Sequence, residues 1–283
     1  MFGFLNVYKP KGKTSHDVVA ILRRVTKVKQ IGHTGTLDPF AEGVLPICIG
    51  KATRLIEYLK DDKAYVATVQ LGKSTTTYDT EGEVVNVSDK KIGLTEIETE
   101  LNKFRGEIEQ LPPIYSAIKV NGKKLYEYAR KGEEVEIKPR KVIINELKVV
   151  NFDFETQQLE LYIDCSKGTY IRSIANDLGE ALGVYGHLIK LVRVKAGSFL
   201  IENSIKLDEL DSKEIVDANL IYPLEYLEYP RYEISESEKA KVANGNSLNL
   251  NCEDGLILLT CGETLAAVAE ILDNKAVMRK VFL

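Results

Sequence analysis

Residues 32–43 of this chain concentrate the side chains that could do chemistry. They read Gly-His-Thr-Gly-Thr-Leu-Asp-Pro-Phe-Ala-Glu-Gly, and so many glycines with a proline disfavour both a regular helix and a central strand. We therefore predict a shaped surface loop, a kind of element that often carries function. Its carboxylate is Asp38, which Pro39 pushes toward an extended backbone conformation. His33 and Thr34 lie close enough along the chain to donate hydrogen bonds into the same small volume.

The simplest alternative is a glycine-rich turn with an Asx cap that starts the next segment. That explanation would suffice for an isolated Asp-Pro pair. Here it must also account for a histidine, two threonines and three glycines in one run, so we favour a functional loop.

A second candidate is Arg172, in the first turn of a predicted helix. The helix dipole disfavours cations at that end, so an arginine there indicates a specific anionic partner. From this local signal alone, an ordinary surface arginine would be the better interpretation.

Composition indicates a soluble protein with one large domain and a small one: 283 residues, 44% hydrophobic and 28% charged. No apolar run reaches the roughly 18 residues that span a bilayer. The N-terminus reads as a first strand and not as a signal peptide, so we expect a cytoplasmic protein. Four scattered cysteines predict reduced thiols, and three histidines without metal-ligand spacing predict no metal site.

Charge is unevenly distributed along the chain. The net charge is −4, but residues 1–60 hold ten Lys/Arg and four Asp/Glu, whereas residues 202–283 hold eight basic and sixteen acidic side chains. Residues 119–141 carry eight basic and four acidic side chains, with Tyr126 and Tyr128 between them. This pattern favours a basic N-terminal face and an RNA-facing arm, although the same charges could simply be solvated.

Hydrophobic periodicity and turn residues predict the elements that position these groups. A helix begins after Thr14 or Ser15, and a second one, which carries Arg172, ends at Gly183. Asn121-Gly122 predicts a hairpin turn. The predicted strands are 44–49, 64–71, 83–87, 113–120, 141–152 and 158–165, the short helices are 52–59, 95–103 and 125–131, and the tail from 229 is mostly β.

Six blocks, in this order, resemble those of the TruB family of RNA pseudouridine synthases, and they span most of residues 1–200. They are Lys-Pro-x-Gly-x-Thr-Ser-His from position 9, Gly-His-Thr-Gly-Thr-Leu-Asp-Pro from 32, the strand with Ala-Tyr at 64 and Leu-Gly at 71, Pro-Pro-Ile-Tyr-Ser-Ala from 112, Cys-Ser-Lys-Gly-Thr-Tyr-Ile-Arg from 165, and Leu-Val-Arg from 191.

The resemblance implies an α+β protein with the pseudouridine synthase fold. A long mixed, mainly antiparallel central sheet flanked by helices would form a catalytic domain over residues 1–228, with the RNA-gripping arm at about 119–141. A small β-rich, PUA-like RNA-binding domain would occupy residues 229–283.

The resemblance also implies roles for individual residues. Asp38 matches the catalytic aspartate, Tyr65 the aromatic that stacks on the target base, and Arg172 the arginine paired with the catalytic carboxylate. The residues expected to bind the substrate are His33, placed where the target base leaves its stack, together with Thr34, Tyr170, Leu191, Arg193 and Lys9.

The implied activity is isomerisation of uridine-55 in the T-loop of tRNA to pseudouridine, without a cofactor or a metal. The expected partner is the T-arm stem-loop of tRNA, bound by a monomer with no obligatory protein partner and no membrane. Asp38 could attack either the sugar or the uracil ring. Two other interpretations are a guide-RNA-dependent relative of the same fold and an RNA-binding or RNA-folding protein whose main task is not catalysis.

Overall fold

The computed structural model describes residues 1–283 and contains nineteen strands. In chain order they are β1 (Gly3–Lys9), β2 (Ile31–His33), β3 (Glu42–Ile49), β4 (Lys63–Leu71), β5 (Lys73–Thr75), β6 (Val84–Val87), β7 (Gly106–Gln110), β8 (Lys119–Val120), β9 (Lys123–Lys124), β10 (Arg140–Asp153), β11 (Gln158–Cys165), β12 (Gly186–Ala196), β13 (Phe199–Leu200), β14 (Ile205–Lys206), β15 (Arg231–Glu233), β16 (Leu248–Asn249), β17 (Gly255–Cys261), β18 (Thr264–Leu272) and β19 (Lys275–Val281).

A ten-stranded mixed sheet forms the frame of the molecule. Its main path is β14-β1-β3-β12-β4-β11-β10-β7, and β2 and β13 pair to the side with β3 and β12. All pairs are antiparallel except β1 with β14 and β3 with β12. This confirms the predicted α+β class and the mixed, mainly antiparallel sheet.

Six α-helices and five 3-10 helices accompany the strands. The α-helices are α1 (Ser15–Thr26), α2 (Leu94–Leu101), α3 (Leu125–Lys131), α4 (Ile171–Ala181), α5 (Lys213–Ala218) and α6 (Glu236–Ala243). The 3-10 helices are Gly50–Tyr58, Asn102–Phe104, Ile201–Asn203, Leu207–Glu209 and Pro223–Glu225.

Helix α1 begins where the sequence predicts. Thr14 is its N-cap and forms a reciprocal capping box with Asp17, an arrangement worth about 1 kcal/mol. Its apolar face is buried through Val18, Val19 and Leu22. The helix is therefore fixed against the sheet directly beside the loop that carries Asp38.

Helix α4 packs its apolar stripe on the sheet and so fixes the position of Arg172. Ile171, Ile174, Ala175 and Leu178 belong to the 24-residue core cluster shared with β4, β11 and β12. Gly183, at φ +68°, follows the helix in the left-handed region, as the sequence predicts.

Three sequence predictions differ from the structure. Residues 113–118 are not a strand, because the carbonyls of Ser116 and Ile118 accept hydrogen bonds from the backbone of the arm around α3. Only Lys119–Val120 forms a strand, which pairs with β9 across the Asn121-Gly122 turn. The helix predicted at 52–59 is the 3-10 helix Gly50–Tyr58. The loop predicted at 32–43 is shorter, since Ile31–His33 pairs with β3 as a short side strand that tolerates glycine.

A second sheet closes the chain, in the order β15-β17-β18-β19-β16. It docks on the Gly50–Tyr58 helix: Lys51 Nζ donates to Phe282 O at 3.0 Å, and Arg54 Nη1 donates to Val281 O at 2.9 Å. Phe282 stacks on Phe2 with ring centroids 5.4 Å apart. The second sheet is therefore tied to the first through both apolar and polar contacts. No helix has the length and apolar character needed to cross a membrane.

Candidate active site

An ion pair between Asp38 and Arg172 lies at the centre of the candidate site. Arg172 Nε is 3.0 Å from Asp38 Oδ2, and the arginine side chain is 7% exposed. Asp38 retains 35% side-chain exposure because it faces a cavity. The structure thus brings together two residues that lie far apart in sequence.

Three further acceptors hold the Arg172 guanidinium. Nη1 lies 3.4 Å from Asp79 Oδ2 and donates to Thr77 O at 3.1 Å, and Nη2 donates to Tyr115 O at 3.0 Å. Sequence reasoning missed Asp79, which is 2% exposed, because it sits in a Ser/Thr-rich stretch that is typical of a solvated loop. Only its proximity to Arg172 in the fold distinguishes it.

The surroundings of Asp38 act on its pKa in opposite directions. Burial raises the pKa of this carboxyl above its ordinary value, the Arg172 guanidinium opposes that effect, and the Asp79 carboxylate adds to it. The net direction is upward. Arg172 is therefore the main group that limits protonation of Asp38, and the Lys9 ammonium acts in the same direction.

Two buried cations hold the backbone of the loop and of the segments beside it by hydrogen bonds. Arg193 is fully buried and donates to the carbonyls of Val44 at 2.7 Å and of Gly35 and Thr36 at 3.2 Å each. Lys9 is also fully buried; its ammonium donates to Pro10 O at 3.0 Å and Lys13 O at 2.7 Å.

These placements correct two expectations. Because Lys9 and Arg193 expose no surface, neither can contact an RNA phosphate in this structure, and both support the loop instead. Burial lowers the pKa of Lys9 to about 8.

Two small residues, Ser15 of α1 and Gly43 of β3, help to fix the position of the loop. The Ser15 hydroxyl accepts from Leu37 N at 2.9 Å and donates to Leu37 O at 3.1 Å, which anchors the residue before Asp38 to α1. Gly43, at φ +106°, lets β3 approach β12 so closely that any side chain would overlap the Arg193 backbone.

A cavity of about 420 Å³ opens beside the ion pair, large enough for a small aromatic group. Of the residues predicted from sequence, Asp38, Arg172, Tyr65, Tyr170 and Leu191 line it. The other lining residues are Gly35, Thr36, Leu37, Lys63, Tyr115, Ser116, Ala117, Tyr126, Gly168, Thr169 and Ile171.

Two of the cavity tyrosines, Tyr65 and Tyr170, are neutral groups. Burial raises the pKa of Tyr65 to about 12 and also raises the pKa of Tyr170. Both phenols therefore keep their protons near neutral pH and can donate hydrogen bonds. Their rings supply flat apolar surface on which a base could stack.

His33 and Thr34 are not among the residues that line the cavity. The His33 ring packs edge-on against His16 with centroids 6.0 Å apart, and burial lowers its pKa, so the imidazole is neutral near pH 7. Thr34 N donates to Pro46 O at 3.1 Å. Their predicted contact with substrate therefore requires RNA outside the cavity.

The cavity also includes residues that sequence reasoning did not select. Tyr126, from α3, brings the predicted arm to the cavity, and Lys124 and Arg130 lie over its ring at 5.4 and 5.3 Å from the centroid. The Ser116 hydroxyl is buried, lines the cavity and lies beside the Tyr170 phenol. No group of three or more His, Cys, Asp or Glu side chains is arranged to hold a metal ion.

Comparison with known families agrees with this geometry. The family model described as "TruB family pseudouridylate synthase (N terminal domain)" matches residues 23–171, and "tRNA pseudouridylate synthase B C-terminal domain" matches residues 172–227. The chain belongs to the TruB family. The matched N-terminal region contains Asp38, Tyr65 and Asp79, and the C-terminal region begins at Arg172.

TruB-family relatives match most of the chain. The protein named "tRNA pseudouridine synthase B" of Staphylococcus haemolyticus (strain JCSC1435) is 47% identical over 259 residues, which cover 87% of this chain and 85% of the relative. The protein of the same name from Staphylococcus aureus (strain JH9) is 45% identical over 267 residues, covering 90% and 88%.

Solved structures share the fold of this TruB-family chain. A structure of a Cbf5-Nop10-Gar1 complex is 26% identical with a TM-score of 0.74, covering 100% of this chain and 84% of the other. A structure of an H/ACA RNP bound to a substrate RNA containing 2'-deoxyuridine is 25% identical with the same TM-score, covering 100% and 85%. These neighbours confirm the predicted pseudouridine synthase fold.

Proposed function

We propose that this protein isomerises uridine to pseudouridine in tRNA, at position 55 of the T-loop, and that Asp38 is essential for the reaction. The observation that carries the proposal is the Asp38–Arg172 ion pair at a base-sized cavity. The relatives named tRNA pseudouridine synthase B support tRNA as the substrate.

The reaction exchanges one bond for another within a nucleotide. The bond between N1 of uracil and C1′ of ribose breaks, the ring turns, and a bond between C5 and C1′ forms; C5 loses a proton and N1 gains one. No oxidant or reductant is required. A single carboxylate that acts covalently, on the sugar or on the ring, can initiate the exchange.

Asp38 must be ionised to act in this way. Burial works against the charged form, and the contact with Arg172 works in its favour. We assign Arg172 to the maintenance of a reactive carboxylate at the cavity wall.

The target base must leave its stack to reach the cavity, which costs a few kcal/mol. Stacking on an aromatic ring returns roughly 1–3 kcal/mol. Tyr65 is the proposed stacking residue, and its neutral phenol could supply or position a proton late in the reaction. Leu191 and Tyr170 would complete the walls around the base.

RNA outside the cavity would contact the arm. Residues 119–141 include the exposed cations Lys119, Lys123, Arg130 and Lys131. Tyr126 links this surface to the cavity. We propose that the arm holds the T-arm phosphates and that His33 lies where the target base leaves its stack.

The proposed organisation is a catalytic domain over residues 1–228 and a PUA-like RNA-binding domain over residues 229–283. The five-stranded second sheet, which begins at Arg231, supports this division. We further propose that the protein works in the cytoplasm as a monomer.

A guide-RNA-dependent enzyme is the main alternative, since the neighbours in solved structures are found in H/ACA RNP and Cbf5 complexes. The basic arm and the relatives named as tRNA enzymes favour a stand-alone protein. A protein whose main task is RNA binding or folding would not need the ion pair in a cavity.

One experiment tests the proposal and separates these alternatives. Purified protein is incubated with unmodified tRNA, and pseudouridine is mapped along the product. We expect modification at position 55 without any other RNA or protein. Modification only after addition of a guide RNA or a partner protein, or modification elsewhere, would contradict the proposal.

A further inference from the structure

We propose that Gln110 is a positioning residue: its amide fixes the first turn of α4 and thereby the Arg172 guanidinium that contacts Asp38. The inference rests on the proposed function, because it concerns the same reaction. Gln110 does not line the cavity, so it would act through α4 and not on the substrate.

The amide of Gln110 forms a reciprocal pair with one residue. Gln110 is 2% exposed at the end of β7; its Oε1 accepts from Tyr170 N at 2.8 Å, and its Nε2 donates to Tyr170 O at 3.0 Å. Tyr170 is the N-cap residue of α4, and its own side chain makes no capping hydrogen bond. The glutamine thus fixes the backbone at the start of a helix that lacks a side-chain cap.

The chain that follows Gln110 makes two more bonds to the same turn. Ser173 Oγ donates to Leu111 O at 2.9 Å, and Arg172 Nη2 donates to Tyr115 O at 3.0 Å. Residues 110–115 therefore bind three positions within the first turn of α4. This arrangement sets both the position of the helix and the direction of the guanidinium.

Small displacements at this point matter for the ion pair. Arg172 lies two residues from Tyr170, and its Nε is 3.0 Å from Asp38 Oδ2. A shift of the first turn by about 1 Å would take this contact out of hydrogen-bond range, and misplacement of that size can cost roughly 100-fold in rate.

The competing explanation is that Gln110 only stabilises the fold. Gln157 provides a matched control, since it makes the same reciprocal pair far from the cavity. Its Oε1 accepts from Ile92 N at 2.9 Å, its Nε2 donates to Ile92 O at 3.2 Å, and it is 7% exposed. Gln157 Nε2 also donates to Phe154 O at 2.8 Å. Gln110→Met and Gln157→Met therefore each remove one reciprocal pair and keep the side-chain length, and Gln157→Met removes one further hydrogen bond.

The test measures single-turnover rate, affinity for a T-arm stem-loop, and thermal melting for the parent and both variants. We expect Gln110→Met to lower the rate by roughly 10–100-fold while the Kd changes by less than about threefold. Gln157→Met should lower Tm at least as much as Gln110→Met and leave the rate within about threefold of the parent.

Two results would overturn the inference while leaving the proposed function intact. One is a Gln110→Met rate close to that of an active parent; the other is an equal loss of rate in Gln157→Met. An inactive parent would instead overturn the proposed function, and this inference with it. Gln110→Leu, of similar volume, is measured in the same way if the methionine variant does not fold.

Discussion

Replacement of Arg172 by methionine is the perturbation that the structure describes most fully. The substitution keeps much of the apolar stem and removes the only cation in contact with Asp38 and Asp79. Arg172 and Asp79 are 7% and 2% exposed, so the variant leaves a buried carboxylate without its partner. Breaking a buried pair in this way costs about 3–5 kcal/mol.

That cost predicts a large change in melting temperature. At about 2–4 °C per kcal/mol for a protein of this size, Tm should fall by roughly 6–20 °C. Asp79→Asn in the same background removes the uncompensated charge and should recover part of the loss. A double-mutant cycle by thermal melting measures this coupling between Arg172 and Asp79.

The same variant should be slow in the reaction. Loss of one preorganised electrostatic group costs roughly 100–1000-fold in rate. Since Arg172 opposes the upward effect of burial on the pKa of Asp38, its removal raises that pKa further, and the loss should be greatest at low pH. Single-turnover rates from pH 5.5 to 9 and the Kd for tRNA test this; the Kd should change by less than about threefold.

Arg105→Met is the control. Arg105 also donates to a backbone carbonyl, Leu147 O, and pairs with a carboxylate, Glu98, but it contacts no cavity residue. Equal losses of tRNA binding and turnover in Arg172→Met, or a Tm within about 2 °C of the parent, would refute the reasoning about this ion pair.

Two further predictions concern the loop around Asp38. The folded-state pKa of Asp38 lies above its unfolded value, so this group favours folding at low pH and loses that contribution as pH rises through the folded pKa. Asp38→Asn should therefore have a higher Tm than the parent at pH 7, and this difference in Tm should shrink toward pH 4. The same difference in Tm at both pH values would contradict the prediction. Gly43→Ala should lower the free energy of unfolding by at least about 1–3 kcal/mol, because backbone strain adds to overlap with Arg193. Gly132→Ala, at φ +64° with open space around it, should lower it less in the same denaturant titration. Equal decreases would show that the close approach of β3 to β12 is unimportant.

Local signals in the sequence predict much of the fold. Thr14 caps α1, Asn121 and Gly122 adopt positive φ in the β8–β9 turn, and Gly183 follows α4, each for reasons contained in a few neighbouring residues. The resemblance to the TruB family supplied the pairing of Asp38 with Arg172, which no local pattern could provide.

The features that local sequence signals do not predict depend on contacts between distant segments. Lys9 and Arg193 look like surface cations in sequence, and only the folded loop shows that their charges are bound by backbone carbonyls. Asp79 has no distinguishing pattern of its own. Residues 113–118 have the composition of a strand, but their carbonyls are used by Arg172 and by the arm.

The most direct test of the account is the rate of pseudouridine formation in a T-arm stem-loop by Asp38→Asn. The substitution keeps the size of the side chain and removes the charge that faces Arg172. Asp153→Asn, at an exposed carboxylate on the last residue of β10, is the matched control. We predict no pseudouridine above background from Asp38→Asn, at a tRNA affinity close to that of the parent, and a parental rate from the control. A near-parental rate from Asp38→Asn would contradict the central claim.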